Sequence, residues 1–460
     1  MSTKPPSGTR DFLPGDVRRR EHVIRVVRDV YERYGFEPLE TPAFENVETL
    51  LGKYGEESNK LIFKILRRGE RESSGEADLA LRYDLTVPLA RVVAQYQHEL
   101  PRIFKRYQIQ PVWRADRPAK GRFREFYQCD IDAIGTRSTL VDVELLTAAS
   151  DVLTTLGFGD FRIRLNDRRL LSALLETAGV PATLAEDALV AIDKRDKIGR
   201  AGVVTELGTR GVPTPIAERL LDLLTPQDGG RGVGAVDSGS RENAWMIDHL
   251  EREIGSHVAG RQALDDLKAI LTLARGTSAD TYLAIDPSLA RGLSYYTGAI
   301  MEVAVSDLAG SLGGGGRYDH LIGMFLGREI PACGFSLGLE RIIVVMTERN
   351  MFPPGVVGGA VDVMVTVWSH ETRDQSLALA SELRRAGLRV DVYPEADKLG
   401  KQFKYASSRD VSFVAVIGDD ERATETVSIK DMRSGVQETV RRDFIVDHIR
   451  RQLSQTSKDS

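Results

Sequence analysis

The sequence predicts an α+β architecture with a helical insertion and a separate α/β domain at its C-terminal end. Three observations predict it. Residues 103–114 and 123–134 alternate apolar and polar side chains with period two, on either side of a short loop. Residues 167–280 are rich in Leu and Ala at helical spacing. The last hundred residues alternate strand-like and helix-like runs.

From the N-terminus, 17–34 reads as an amphipathic helix. Ile24, Val27, Tyr31 and Tyr34 recur at spacings of three and four, and Gly35 is a stop. An extended stretch punctuated by Pro38 and Pro42 follows, which suits an edge or an interface. In 103–114 the odd positions carry Ile103, Tyr107, Ile109 and Trp113, and the even ones Arg106, Gln108, Gln110 and Arg114. In 123–134 Phe123, Tyr127, Cys129, Ile131 and Ala133 are odd, whereas Phe126, Gln128, Asp130 and Asp132 are even. Asp116 to Gly121 separates the runs, so an antiparallel hairpin is expected. One face would pack on the core and the other present Arg, Gln and Asp side chains to a cleft.

Residues 1–166 and 281–350 are therefore read as two parts of one domain, with 167–280 as a mainly helical insertion. Strand-like sequence returns at 282–305, followed by the glycine run Gly313–Gly316 and a helix at 339–349. Residues 360–453 form the last domain. There Val361 to Trp368 is a buried strand, helices cover 371–386 and 398–409, and strands cover 388–393 and 411–417. Two short strands around Ser434–Gly435 and a final helix complete it.

Composition narrows the function classes. At 460 residues, 42% hydrophobic and 28% charged, the chain has enough apolar side chain for real cores, which excludes global disorder. No apolar run reaches the roughly 18 residues of a membrane span, and Met1 to Arg20 lacks the pattern of a secretory signal. Two cysteines, Cys129 and Cys333, cannot build a disulfide framework and fit a reducing cytoplasm. A net charge of −5 means that any nucleic-acid partner must meet a local basic patch.

The hairpin supplies that patch. From 102 to 124 there are eight Lys or Arg residues against one acid, Asp116. A solvated basic face is the plain reading. Against it, the charges alternate with aromatics on a predicted sheet. Arginines on a rigid strand suit bidentate phosphate recognition, and Phe126 on the same face offers a stacking surface. The glycine run is neither a P-loop nor a dinucleotide fingerprint; it reads as a tight turn or as backbone approaching a ligand. Gly338-Leu-Glu-Arg341 opens a helix, where an arginine opposes the dipole and makes more sense reaching toward an anion. Histidine spacing gives no metal site, and Cys129 on the apolar face reads as a buried inert thiol.

With these residues in view, the chain resembles the histidyl-tRNA synthetases, a family of class II aminoacyl-tRNA synthetases, over nearly its whole length. The motifs are Gly8-Thr-Arg-Asp11, Leu81-Arg-Tyr-Asp-Leu-Thr-Val-Pro88 and Arg102 to Asp132 (motif 2). Arg291-Gly-Leu-Ser-Tyr-Tyr296 and Gly315-Gly-Arg-Tyr-Asp319 resemble the two histidine-specific motifs, and Gly334 to Arg341 resembles motif 3. The resemblance implies a class II antiparallel sheet in the catalytic domain, a helical insertion and a C-terminal α/β anticodon-binding domain. It implies a homodimer meeting at the Pro42 region, with L-histidine and tRNA(His) as partners and no membrane. ATP is the co-substrate, with Mg²⁺ bridging its phosphates mostly through water and no metal held by the protein.

By the same resemblance, Asp84, Leu85, Thr86, Arg114, Gln128, Asp132, Arg291, Tyr295 and Tyr296 bind histidine. Asp84, Thr86 and Gln128 hold its α-ammonium, and Asp132 and Tyr296 read the imidazole. Arg114 and Arg291 are catalytic, clamping the α-phosphate. Arg114, Asp116, Arg122, Phe126 and Arg341 bind ATP, with Phe126 stacked on adenine and Arg122 and Arg341 on the outer phosphates. Tyr295 and Tyr296 are adjacent, so on a straight strand they would face opposite ways; one of them must leave the strand. Ser294 and His320 depart from the family pattern, where Asp and Gly are usual. The rival functions are a catalytically silent, histidine-sensing regulatory subunit of ATP phosphoribosyltransferase and a stand-alone nucleic-acid binder. The anticodon-domain pattern and the retained arginines argue against the first, and the dense ligand motifs against the second.

Overall fold

The computed structural model describes residues 3–54, 59–67, 75–225, 239–290, 295–308 and 310–456. The chain divides into two compact units, Met1–Met351 and Phe352–Ser460.

In the first unit, the main sheet contains β1 (Glu37–Pro38), β5 (Phe104–Trp113), β6 (Glu125–Ile134), β7 (Arg162–Asp167), β8 (Leu283–Ile285), β9 (Ala299–Ala304), β10 (Ser311–Arg317) and β11 (Ala332–Gly338). Three further strands, β2 (Phe44–Asn46), β3 (Lys64–Leu66) and β4 (Ala77–Leu81), form a small separate sheet. The main sheet runs β1-β5-β6-β11-β10-β9-β7-β8 and is antiparallel except at its two outer pairs. β5 and β6 are the hairpin that the alternation predicts. Its odd face packs on helix Pro14–Arg33, where Val23, Val27, Val30 and Tyr31 are buried and Tyr31 Oη donates to the Cys129 carbonyl at 3.1 Å. Gly35 ends that turn of chain with φ 71°, a left-handed conformation that glycine adopts without penalty.

The glycine run is not a turn. Gly313 to Gly316 lie within β10, paired with β11 on one side and β9 on the other. A Cβ on Gly315 would fall 2.0 Å from the Gly334 carbonyl oxygen, and one on Gly313 would fall 2.5 Å from that of Ser336. It is the backbone of β11, not a tight bend, that excludes side chains there. Gly315→Ala is accordingly expected to destabilise the first unit by about 1–3 kcal/mol or more, since rigid backbone cannot yield as a side chain can. A melting curve of the variant that overlays the wild type would contradict this.

Between β7 and β8 the described chain is helical, with helices at Arg168–Ala178, Ala185–Asp193, Arg195–Thr209, Thr214–Leu224, Gly239–Ile254 and Val258–Ala274. Asp167 caps the first, accepting from the Arg169 backbone N–H at 2.8 Å, and Gly179 ends it with φ 92°. Among the described residues no helix is long and apolar enough to cross a membrane.

The second unit is a five-stranded sheet of β12 (Val363–Val365), β13 (Val390–Val392), β14 (Phe413–Val416), β15 (Thr426–Asp431) and β16 (Gln437–Arg441). Its order is β13-β12-β14-β15-β16, the first three parallel and the rest antiparallel. Val363 and Val365 pack on one face with Leu379, Leu383, Ile445 and Ile449, and Met364 on the other with Ala406 and Val414. Cover on both faces is why 361–368 reads as a nearly unbroken apolar run.

Candidate active site

The hairpin register sets out the floor of the site. Arg106 pairs with Asp132, Gln108 with Asp130, Gln110 with Gln128 and Val112 with Phe126, all on the even face. That face is not an open cleft wall as the alternation alone suggests. Arg106, Gln108, Gln128, Asp130 and Asp132 are all buried. The cover comes from residues far away in the chain: Leu85, whose carbonyl accepts from Arg106 Nη2 at 3.3 Å, and Tyr318, whose hydroxyl donates to Asp132 Oδ1.

Asp84 and Leu85 precede helix Thr86–Gln95. Asp84 Oδ1 accepts from the Val87 backbone N–H at 3.0 Å and from Tyr54 Oη at 2.9 Å, and Tyr295 Oη lies 3.4 Å from Oδ2. Burial pushes the Asp84 carboxyl up, against the Val87 hydrogen bond, the nearby Arg114 charge and the two tyrosines. Tyr295 also hydrogen-bonds Thr86. Tyr295 and Tyr296 both precede β9, and their rings lie 5.0 Å apart at 61°. Leaving the strand is what lets neighbours in sequence meet on one side. Gly316 makes room, because a Cβ there would lie 2.9 Å from Tyr296 Cδ1.

Arg114 is held at its Nε, which donates to the Tyr83 carbonyl at 3.0 Å. Its guanidinium lies 4.3 Å from the Tyr83 ring centroid and 5.2 Å from that of Phe126. Phe126 is half-buried and Arg122 exposed, in the turn where Ala119 and Arg122 bridge. The Asp116 carbonyl accepts from Arg124 Nε at 3.1 Å. Arg341, on helix Leu339–Glu348, donates to the Gly121 carbonyl at 3.3 Å and to that of Ser311 at 2.5 Å. It bridges the hairpin loop to the start of β10. Its neighbour Glu340 pairs with Arg20 at 2.7 Å and accepts from the Tyr127 backbone N–H at 2.9 Å. The Gly8 motif lies on the same loop: the Gly8 carbonyl accepts from the Arg124 N–H at 2.8 Å, and Arg10 stacks 3.6 Å over the Phe123 ring. Arg291 and Ser294 lie outside the described residues.

Gln128 Nε2 donates to Ser336 Oγ at 3.0 Å, while its Oε1 is buried without a hydrogen-bond partner. Such orphaned acceptors are costly, and they suit a ligand that brings N–H groups. Several expected motif residues prove structural. Arg317 pairs with Asp142 at 2.6 Å, Asp319 accepts from the Ala332 N–H at 3.0 Å, and Arg82 binds the carbonyls of Thr41 and Pro111 at 2.7 and 2.8 Å. The Cys129 thiol is buried and pushed well up by that burial, so it stays protonated. Two contributors escape the sequence reading, Tyr54 and Tyr318, while Arg106, which parity puts on the polar face, carries no role there although hairpin register about the 116–121 loop sets it opposite Asp132. Tyr318 sat inside a quoted motif without a role, and nothing in the pattern around Tyr54 marks it.

An antiparallel sheet floored by a polar, arginine-bearing hairpin, with a helical insertion and a C-terminal α/β unit, defines a class II aminoacyl-tRNA synthetase. The family model for histidyl-tRNA synthetase matches residues 8–342, and that of the anticodon binding domain matches 362–452. The histidine--tRNA ligase of Porphyromonas gingivalis is 41% identical, with 95% of this chain and 97% of that protein covered. That of Gloeobacter violaceus is 38% identical, covering 94% and 95%. The crystal structure of histidyl-tRNA synthetase from Nostoc sp. PCC 7120 superposes with a TM-score of 0.81 at 31% identity, covering 98% of this chain and all of that one. The chain belongs to the histidyl-tRNA synthetase family.

Proposed function

We propose that this chain ligates L-histidine to tRNA(His) in two steps within the site described. A histidine carboxylate oxygen attacks the α-phosphorus of ATP; the bond to the bridging oxygen breaks, giving histidyl-adenylate and pyrophosphate. The 3′-terminal ribose hydroxyl of tRNA then attacks the histidyl carbonyl and releases AMP.

In this reading Asp84, Thr86 and Gln128 accept hydrogen bonds from the α-ammonium, with Leu85 placing Asp84 and Thr86. Asp132 and Tyr296 read the imidazole beside Tyr295. Arg114 and Arg291 take the charge that builds on the α-phosphate. Phe126 stacks on adenine, and Asp116, Arg122 and Arg341 surround the rest of ATP. Mg²⁺ enters on the ATP phosphates as part of that substrate; the described residues contain no group of three or more metal-ligating side chains. The observation that carries the reading is a set of three buried acceptors: Asp84, which interacts electrostatically with Asp132 and Arg114, and Gln128, on the same hairpin face as Asp132, with the Arg114 guanidinium over Phe126. Amino-acid-dependent ATP–pyrophosphate exchange tests it: histidine alone should support exchange, and exchange driven by another amino acid would refute it.

The homodimer belongs to the same proposal. Phe44 and Leu66, on the two outer strands of the small sheet that follows Pro42, are half exposed and supply an apolar face for a second copy. A cytoplasmic setting suits two free, buried cysteines. We further expect that removing residues 355–460 spares pyrophosphate exchange far more than tRNA charging, because no ATP-site motif lies there. Both activities measured on one folded truncation decide; equal loss of the two would refute the division of labour.

A further inference from the structure

The even face of the hairpin holds two carboxylates and one guanidinium out of water. Arg106 is 0% exposed, and Asp130 and Asp132 are 2% exposed each. Arg106 Nη2 lies 2.9 Å from Asp132 Oδ2, and Tyr318 Oη donates to Asp132 Oδ1. Tyr318 thus satisfies Oδ1, while Oδ2 faces the Arg106 charge at ion-pair distance but is buried without a hydrogen-bond partner, so it keeps acceptor capacity that favours the ionised form. Asp130, two residues earlier on the same face, has Gln108 across the strand, Ser336 as its hydrogen-bond partner, and Oδ1 buried without one. Gly334 clears space for this choice, since a Cβ there would sit 1.9 Å from Asp132 Oδ1.

We propose that Arg106 is a positioning residue for imidazole recognition, holding Asp132 as the anionic acceptor and leaving its neighbour Asp130 outside recognition. The proposal rests on the reading above that Asp132 meets the imidazole. The groups facing the trio are Gln108 from β5, Ser336 from β11, Tyr318, and Asp84 from the turn before helix Thr86–Gln95. One guanidinium cannot balance two buried carboxylates. Burial pushes Asp130 up to about 7, with Arg106 opposing and Asp132 reinforcing the shift, so near neutrality this carboxyl is partly protonated. Burial raises Asp132 as well, but Arg106 and the Tyr318 hydroxyl both work against the rise. An ionised carboxylate has about four lone-pair positions, so Asp132 can hold Arg106 and Tyr318 and still accept an imidazole N–H.

Histidine-dependent ATP–pyrophosphate exchange with melting curves tests this on the full chain. Arg106→Met is expected to raise the histidine KM by about tenfold or more, as mismatched polar sites do, with little change in the ATP KM. Arg106→Lys, which keeps a cation, should recover much of the loss. Asp130→Asn should leave the histidine KM near wild type and parallel to it from pH 6 to 8, whereas Asp132→Asn should raise it. A folded Arg106→Met with unchanged histidine KM, or with equal changes for histidine and ATP, would overturn the proposal. Should Arg106→Met not fold, Asp130→Asn decides alone: a loss matching that of Asp132→Asn overturns it. Absence of histidine-dependent exchange in the wild type would instead refute the histidine reading itself.

Discussion

Arg114→Ala is expected to slow histidyl-adenylate formation by about 10²–10³, or roughly 3–4 kcal/mol of transition-state stabilisation, the usual cost of losing a preorganised donor. The preorganisation is visible in how the side chain is held. Nε is tied to the Tyr83 carbonyl at 3.0 Å, and the guanidinium carbon lies 4.3 Å from the Tyr83 ring centroid and 5.2 Å from that of Phe126. Among the described residues the Nε bond is the only hydrogen bond of the side chain, so the Nη fork remains for a phosphate. Charge on the α-phosphate grows as its fifth bond forms, and a fixed guanidinium meets it without reorganising. Single-turnover rates should show the loss in adenylate formation, with histidine KM little changed and transfer from preformed adenylate much less affected. Arg291, given the other arm of the clamp by family resemblance, is expected to respond alike. A variant that loses thermal stability but keeps its rate per folded molecule would make Arg114 structural.

Gly334→Ala is expected to damage histidine recognition nearly as severely, by a different route. The new methyl would fall 1.9 Å from Asp132 Oδ1 and 2.8 Å from its Cγ, so the carboxylate must swing away from Tyr318. A site built on specific polar contacts loses about 10²-fold or more when one is misplaced. Histidine KM should rise steeply while the ATP KM changes little. Unchanged histidine KM in a folded variant would remove Asp132 from the pocket.

How much of this was legible in the sequence follows from which contacts are local. Period-two alternation over 103–114 and 123–134 is a property of neighbouring residues, so the hairpin and the shared side of Arg114, Phe126, Gln128 and Asp132 could be read directly. Burial of that polar face could not. Its cover is a carbonyl at Leu85 and a hydroxyl at Tyr318, placed by the fold from 21 and 186 residues away and leaving no period behind. The glycine run misled for a related reason. Glycine signals a turn by its freedom, whereas Gly313 and Gly315 serve by having no side chain against β11. Likewise Tyr295 and Tyr296 conflict with strand geometry only if they belong to the strand, and β9 begins at Ala299.

Charging of tRNA(His) by the purified full-length chain, with histidine and ATP supplied and AMP counted, tests the central claim most directly. The account predicts histidine esterified to the 3′-terminal ribose, with one AMP and one pyrophosphate released per tRNA charged. Binding of histidine without exchange or charging, the behaviour of a silent sensing paralogue, would contradict it.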